Sequence, residues 1–456
     1  MIRGYAASAS VGPGEQLVLH VAGSAPRFRV CVYRCGDGLS PVFASHWLAA
    51  TASPEGSADA GWDWPAYPFH LPRGLASGVY VAHLDTPGGL PVHLALDQAA
   101  VLFVVRGNGL GKLLYKIPLA TYNAYNFSGG ACFYADPPRS PDPPGARLSF
   151  LRPGCGIGGP TFGAPDHYDP SSPRQTFAHW DARFIAWLER EGFEAEFCTD
   201  LDIARDPDLC SPYQLLLSAG HDEYWSTSMR DGLDQFIARG GNAAFFSANL
   251  CWWRIHLVDG ASAMVCHQGG PTGALDHWWS PSGAARPEDA LAGVSYRHGG
   301  GWWDGPRDTA GYLVQDDAHW VFDGTGLSNG ESFGATTSPP LVGYECDGAP
   351  LQPAGADGAG FALVPNAADC GTPSNFHVLA ACPLDGRWQE LPQREASAGP
   401  LHAATMGIME GPGTVFTAGT TDWAQVLGTG QDPHVDTITR NVLRKLLNGR
   451  QPRWSI

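Results

Sequence analysis

Long apolar runs are missing from this 456-residue chain. No stretch approaches the roughly 18 consecutive apolar residues that a membrane span needs, which argues against a membrane protein. The first residues, Met1-Ile-Arg-Gly-Tyr-Ala-Ala-Ser, also lack the apolar core of a secretory signal. The expectation is therefore a soluble, cytoplasmic protein. Basic residues are scarce: 28 Lys and Arg stand against 45 Asp and Glu, for a net charge of −17. That balance argues against nucleic acid or an anionic membrane surface as a partner. The 11 cysteines include no CxxC pair and no zinc-like spacing, and Cys31 and Cys35 are the nearest two. Free thiols in a reducing compartment follow as the expectation. What is abundant is glycine (58), proline (38) and tryptophan (16), the composition of a loop-rich protein with aromatic-lined surfaces.

From about Gly4 to Asp97, short alternating segments such as Gln16-Leu-Val-Leu-His-Val and Phe28-Arg-Val-Cys-Val-Tyr recur between Gly and Pro. This spacing predicts an immunoglobulin-like β-sandwich over residues 1–98, with no reactive cluster. Val101-Leu-Phe-Val-Val opens a different regime, in which buried strands alternate with amphipathic helices. Gln175 to Glu191 places Phe177, Trp180, Phe184, Trp187 and Leu188 on one helical face, and Ser226 to Arg239 reads as a second helix. Strand-helix-strand order of this kind predicts a parallel sheet with helices on its faces, hence an α/β domain over 99–456. Residues of about 251–340 have little periodicity and read as a loop-rich insertion, a lid over one end of the sheet. Asp432-Pro433 supplies a cap and first-turn proline for a final helix that runs to Asn448.

Leu215-Leu-Leu-Ser-Ala-Gly-His-Asp-Glu223 is the centre of the chain's chemistry. Its apolar run is too short for a helix and fits a strand buried on both faces, which sets His221 and Glu223 just past the carboxyl end. In open α/β sheets that end is where ligands bind. The same acidic groups could merely cap the following helix. The segment Gly241 to Asn249 favours a site, because it is a second buried strand that also ends in a polar side chain.

Other signals carry less. Gly154-Cys-Gly-Ile-Gly-Gly159 fits GxGxxG, yet Pro160 and the residues after it do not form the helix that a dinucleotide site requires. Cys251 lacks the flanking glycines of a nucleophile elbow and reads as a buried thiol, with a metal-free, cysteine-dependent amidotransferase-like enzyme as the alternative. Tyr122 and Tyr125 on one side of Gly129-Gly130, and Tyr134 on the other, suit aromatic packing. They also suit a ferric ion, for which a phenolate is a hard anionic ligand.

Taken in order, Thr121-Tyr-Asn-Ala-Tyr-Asn126, Trp187-Leu-Glu-Arg-Glu-Gly192, Thr199-Asp-Leu-Asp202, Gly220-His-Asp-Glu-Tyr-Trp-Ser226, Gly240-Gly-Asn-Ala-Ala-Phe-Phe246 and Asn249-Leu-Cys-Trp-Trp-Arg254 resemble the N,N-dimethylformamidase large (beta) subunit family, in its carboxyl-terminal catalytic domain. The resemblance covers most of the chain beyond residue 100. It implies a three-layer α/β domain similar to class I glutamine amidotransferase-like folds, and an amidohydrolase that cleaves the C–N bond of a small amide. It further implies a mononuclear Fe³⁺ held by two tyrosines and a glutamate, carried here onto Tyr125, Tyr134 and Glu223, with Tyr168 and Tyr122 as other choices for the second tyrosine. His221, Asn249 and Glu345 match the catalytic positions. This sequence has Asp222 where the family motif often has proline, and it lacks much of the large subunit's length, so the substrate is the least transferable implication. A small-molecule amide is the expected partner, and a homo-oligomer or a small partner subunit stays open. A non-catalytic binding protein on the same fold is the reading from another class.

Overall fold

A computed structural model of the chain describes residues 2–157, 159–163, 165–268, 276–355, 360–391 and 399–448. It is a mixed α/β protein dominated by several sheets, with few helices. Among the described residues no helix is long and apolar enough to cross a membrane. The chain divides into two compact units: Met1–Asp206 with Ser226–Met229 and Ile255–Ala274, and Pro207–Trp225 with Arg230–Arg254 and Leu275–Ile456.

In the first unit, Ile2–Ala6, Gln16–Gly23 and Ala66–His70 form an antiparallel three-stranded sheet. A second sheet runs in the order Ser10–Val11, Ala100–Val105, Gly78–Asp85, Arg27–Gly36, Gly38–Ala44. Alternation along these strands turns one side chain in two inward. Leu17, Leu19 and Val21 from one sheet thus share a core with Val30, Val32 and Phe103 from the other, all fully buried. Each such side chain contributes about 1.5–3 kcal/mol relative to exposure. The Ala100–Val105 strand, whose apolar run reads as the start of the second regime, pairs antiparallel with Gly78–Asp85.

Leu113–Ile117 and Glu196–Thr199 pair in parallel in the same unit. Thr199-Asp-Leu-Asp202 proves to be a capping box. The Thr199 hydroxyl accepts the Asp202 N–H, the Asp202 carboxylate accepts the Thr199 N–H, and helix Asp200–Arg205 follows. The helix expected from Gln175 begins only at Asp181 and ends at Arg190. Gln175 has φ 65, and the Phe177 N–H donates to Gly156 O, so the chain ahead of Asp181 is held outside the helix. Phe177 and Trp180 are nonetheless fully buried beside the helical Phe184 and Trp187.

The second unit is built on strands in the order Leu215–His221, Asn242–Ala248, Thr414–Thr417, Ala403–Glu410, Phe376–Pro383, Tyr312–Val314, Ser332–Phe333. Leu215–Leu217 and Ala243–Phe246 are wholly buried, as central strands covered on both faces must be. The first three strands are parallel, and helix Thr227–Ala238 lies between the first two in sequence. Here the expectation of a parallel sheet is corrected. From Thr414–Thr417 onward the neighbours are antiparallel, and the sheet is mixed. The physical reason is the connection: Ala403–Glu410 turns back through residues 411–413, far too short for the crossover that parallel pairing demands. A separate pair, Ser295–Gly301 and Glu345–Gly348, runs antiparallel. Glu345–Gly348 is anchored where Thr421 N–H donates to Glu345 O and Asp347 N–H to Gly419 O.

Candidate active site

Two parallel strand ends create the site in the second unit. His221 stands opposite Ala248 in register, so Asn249 is the next residue past the neighbouring strand. Gly220 has φ 71, a backbone that costs other residues about 1–2 kcal/mol, and it turns the chain at its end. The loops beyond both strands are tied together, because the Cys251 and Trp253 N–H groups donate to the Asp222 and Glu223 carbonyls. Asp222 itself accepts from Ser218 Oγ at 2.5 Å and Trp225 Nε1 at 2.9 Å, which gives this departure from the family motif a role in holding the loop.

Onto this frame the Glu345–Gly348 strand brings a carboxylate. Glu345 Oε2 lies 2.8 Å from His221 Nε2 and accepts from Asn249 Nδ2 at 3.0 Å, while Glu345 Oε1 accepts from Trp303 Nε1 at 3.3 Å. Glu223 Oε2 is 3.4 Å from the same His221 nitrogen. Tyr344 sets its ring edge against the imidazole. All four of His221, Glu223, Asn249 and Glu345 are buried.

Burial opposes the charged imidazole, but the Glu345 carboxylate, then Glu223 and Asp347, outweigh it and raise the His221 pKa. Burial likewise opposes the Glu345 carboxylate, yet His221, Asn249 and Trp303 hold it below its usual range. Across the 2.8 Å contact the carboxylate favours the protonated imidazole and the imidazole favours the charged carboxylate. Burial raises the Asp347 pKa, and the two backbone N–H groups that its carboxylate accepts oppose the rise. Glu390, which accepts from the Tyr296 hydroxyl at 3.0 Å, is also raised by burial, with Glu345 adding to the effect.

In the first unit the two tyrosines meet. Tyr125 ends the helix Leu119–Tyr125, and its hydroxyl lies 2.9 Å from that of Tyr134, with the rings stacked at 4.6 Å. Buried Arg152 fixes the end of that helix and the turn after it. It donates to Asn123 O, Asn126 O, Ser128 O and Ser149 O at 2.6–3.1 Å. Of the other tyrosines considered, Tyr122 donates to the buried carboxylate of Asp181, and Tyr168 packs edge-on against His167.

Several alternatives are disposed of by geometry. Cys251 has φ 54 without a glycine beside it, as at an elbow, but it is fully buried and its thiol is pushed up to about 12 by burial. A nucleophilic cysteine needs the opposite environment. A Cβ at Gly154 would meet Asn126 Oδ1 at 2.6 Å and one at Gly156 the Tyr122 ring at 2.6 Å, so these glycines serve close packing; the first helix after them starts at Asp181. Asp289, His298 and Cys370 bring ligand atoms within 4.8 Å of one another, but Arg297 ion-pairs with Asp289 and a cation already occupies that carboxylate. A cavity of about 160 Å³ in the first unit, lined by Tyr5, Leu119, Phe150 and Arg205 among others, contains none of the candidate catalytic or metal-binding residues.

Sequence reasoning assigned no role to Asp347 or Trp303. Asp347 carried a usable signal, since residues two apart on a strand share a face and Glu345 was already a candidate. Trp303 carried none, because its place beside Glu345 depends on a pairing far along the chain.

Known sequences share parts of this chain. The beta subunit of N,N-dimethylformamidase from Alcaligenes sp is 28% identical over 78 residues, 17% of this chain and 10% of that protein. The beta subunit from Paracoccus aminophilus is 30% identical over 74 residues, 16% of this chain and 10% of that protein. The match therefore spans about a tenth of the length of these curated relatives. The family described as N,N-dimethylformamidase beta subunit-like, C-terminal, extends much further, over residues 29–436, and the chain belongs to it.

Proposed function

We propose that this protein hydrolyses the C–N bond of a small amide, with a mononuclear ferric ion as its cofactor. The observation that carries the reading is the buried couple of His221 and Glu345, 2.8 Å apart, with Asn249 donating to the same carboxylate oxygen at 3.0 Å. With the imidazole neutral, such a couple can take a proton from an attacking water and return it to the departing amine, the carboxylate stabilising the imidazolium formed between the two events. Asn249 has two amide hydrogens, one directed to Glu345, and the other is available to an oxyanion. Water adds to the carbonyl carbon, the C–N bond breaks, and the products are a carboxylic acid and an amine.

The ligand set carried over by resemblance is Tyr125, Tyr134 and Glu223. The phenol oxygens fit it: neighbouring oxygens around an octahedral hard cation at roughly 2.0–2.1 Å stand about 2.9 Å apart, and those of Tyr125 and Tyr134 are separated by 2.9 Å. Three anionic oxygens suit a hard trivalent ion. A bound ferric ion would supply Lewis-acid polarisation of the carbonyl or acidification of a water.

N,N-dimethylformamide, the compound in the relatives' name, is the first substrate to test. That those relatives are named beta subunits supports a small partner subunit, alongside a homo-oligomer. Cysteines that form no disulfide support a cytoplasmic setting. The fold types that complete the proposal are an immunoglobulin-like β-sandwich for the two amino-terminal sheets and a glutamine amidotransferase-like arrangement for the parallel strands of the second unit.

The test combines elemental analysis and the visible spectrum of the purified protein with amine release from small N-substituted formamides. Stoichiometric iron, a phenolate-to-iron band that bleaches on reduction, and amine release are expected. Protein purified without iron and without hydrolysis of any amide, even after ferric loading, would sink the reading.

A further inference from the structure

We propose that Asp347 is a positioning residue whose carboxylate clamps the backbone elbow at Asn249 and so fixes the Asn249 side chain against Glu345. The inference deepens the amide-hydrolase reading above and rests on it. Glu345 and Asp347 are two apart on one strand, so both side chains leave on the same face. Asp347 is fully buried, and its two oxygens are used on two successive residues. Oδ1 accepts the Asn249 N–H at 2.9 Å and Oδ2 the Leu250 N–H at 3.0 Å. Consecutive N–H groups converging from a left-handed turn form an anion-binding concavity, here filled by a carboxylate of the chain itself.

Asn249 has φ 48, a conformation that residues other than glycine seldom take, although asparagine tolerates it better than most. The clamp holds the residue in that state at the end of its strand. Asn249 Nδ2 then reaches Glu345 Oε2, the oxygen that also faces His221 Nε2. If the elbow relaxed, the amide donor would move away from the carboxylate on which the imidazole depends. A carboxylate that only tied down the loop would affect stability and leave turnover alone. One that acts through Asn249 must be coupled to that side chain.

A double-mutant cycle with Asp347→Asn and Asn249→Gly separates these cases. Asp347→Asn keeps the size but turns one acceptor into a donor facing an N–H. Asn249→Gly accepts φ 48 and deletes the side chain through which the clamp acts. We expect Asp347→Asn to lower kcat about 100-fold, with KM changed less than about twofold, as misplacement of a reacting group does. The double variant should be no slower than Asn249→Gly alone, and the loss of Tm caused by Asp347→Asn should be smaller in the glycine background. Wild-type kcat in Asp347→Asn, or multiplicative losses in the double variant, would overturn the proposal. Should Asp347→Asn fail to fold, Asp347→Ser, which leaves room for water at both N–H groups, runs the same cycle. A wild-type protein inactive on every amide tested would sink the hydrolase reading, and the Tm cycle would then judge the clamp, with additivity overturning it.

Discussion

His277 shows how a single side chain can carry pH dependence away from the His221–Glu345 couple. Its ring stacks between Trp253 at 4.1 Å and Trp279 at 5.4 Å, and burial followed by the charge of Arg297 lowers its pKa to about 4, with Asp276 opposing. A depressed base favours the neutral form in the folded state. Its contribution to stability is complete above the ordinary histidine value and is lost as pH falls through about 4. Denaturant titrations should therefore show stability declining between roughly pH 6.5 and 4 by up to about 3 kcal/mol from this group. His277→Phe, which keeps the stack, should flatten that decline, and an unchanged profile would exclude the assignment. Within the couple, His221→Ala is expected to abolish amide hydrolysis while iron, measured by elemental analysis, stays bound. Loss of metal together with activity would make His221 a ligand instead. At this scale the sequence made His221, Glu223 and Asn249 legible, because each ends or follows a buried apolar run. It gave Asp347 no role: the spacing of two from Glu345 was the one local signal, and the backbone N–H groups that its carboxylate accepts lie 97 and 98 residues away.

The helix Leu119–Tyr125 is only seven residues long, below the length at which helices persist by themselves. Its end is held by Arg152, whose guanidinium is wholly buried among carbonyl oxygens and has its pKa lowered to about 10 by burial. Arg152→Gln would leave several of those carbonyls without a donor, at about 1–3 kcal/mol for each buried group left unpaired. We expect a loss of more than about 3 kcal/mol in urea unfolding, and a loss below about 1 kcal/mol would show that water replaces the guanidinium. On the proposed ferric reading, in which Tyr125 at the end of this helix is a ligand, the same variant should also weaken the phenolate-to-iron band. Elements with strong local signals were legible. The final helix, Pro433–Asn448, begins where Asp432-Pro433 predicts, with Asp432 Oδ1 accepting the His434 N–H at 3.0 Å. The aromatic helix at Asp181–Arg190 was legible only in part. Phe177 and Trp180 continue its apolar spacing, but a positive φ at Gln175 and a bond to Gly156 O take the chain elsewhere.

For the whole molecule, the 11 cysteines give a direct check on how the chain closes around its cores. None forms a disulfide, and only Cys31, Cys155 and Cys370 are partly accessible; the Cys155 thiol is pushed up to about 12 by burial. Thiol titration of the native protein should count no more than three reactive groups, with Cys31 and Cys370 ahead of Cys155, and 11 after denaturation. Rapid reaction of Cys251 in the native state would contradict its burial. What the sequence determined by itself was part of the local layer: the strands Leu215–His221 and Asn242–Ala248, where they end and which polar groups follow them, and the final helix Pro433–Asn448. Hydrophobic period, turn residues and caps are properties of a few neighbouring residues, so one chain suffices to read them. What only the tertiary structure decided was partnership and direction. It set Ala100–Val105 against Gly78–Asp85, made the sheet beyond Thr414–Thr417 antiparallel, and laid Glu345–Gly348 so that Glu345 meets His221 and Asp347 meets the Asn249 elbow. A buried apolar strand looks the same whichever neighbour it pairs with and whichever way that neighbour runs. The choice is made by packing and hydrogen bonding between segments tens to hundreds of residues apart.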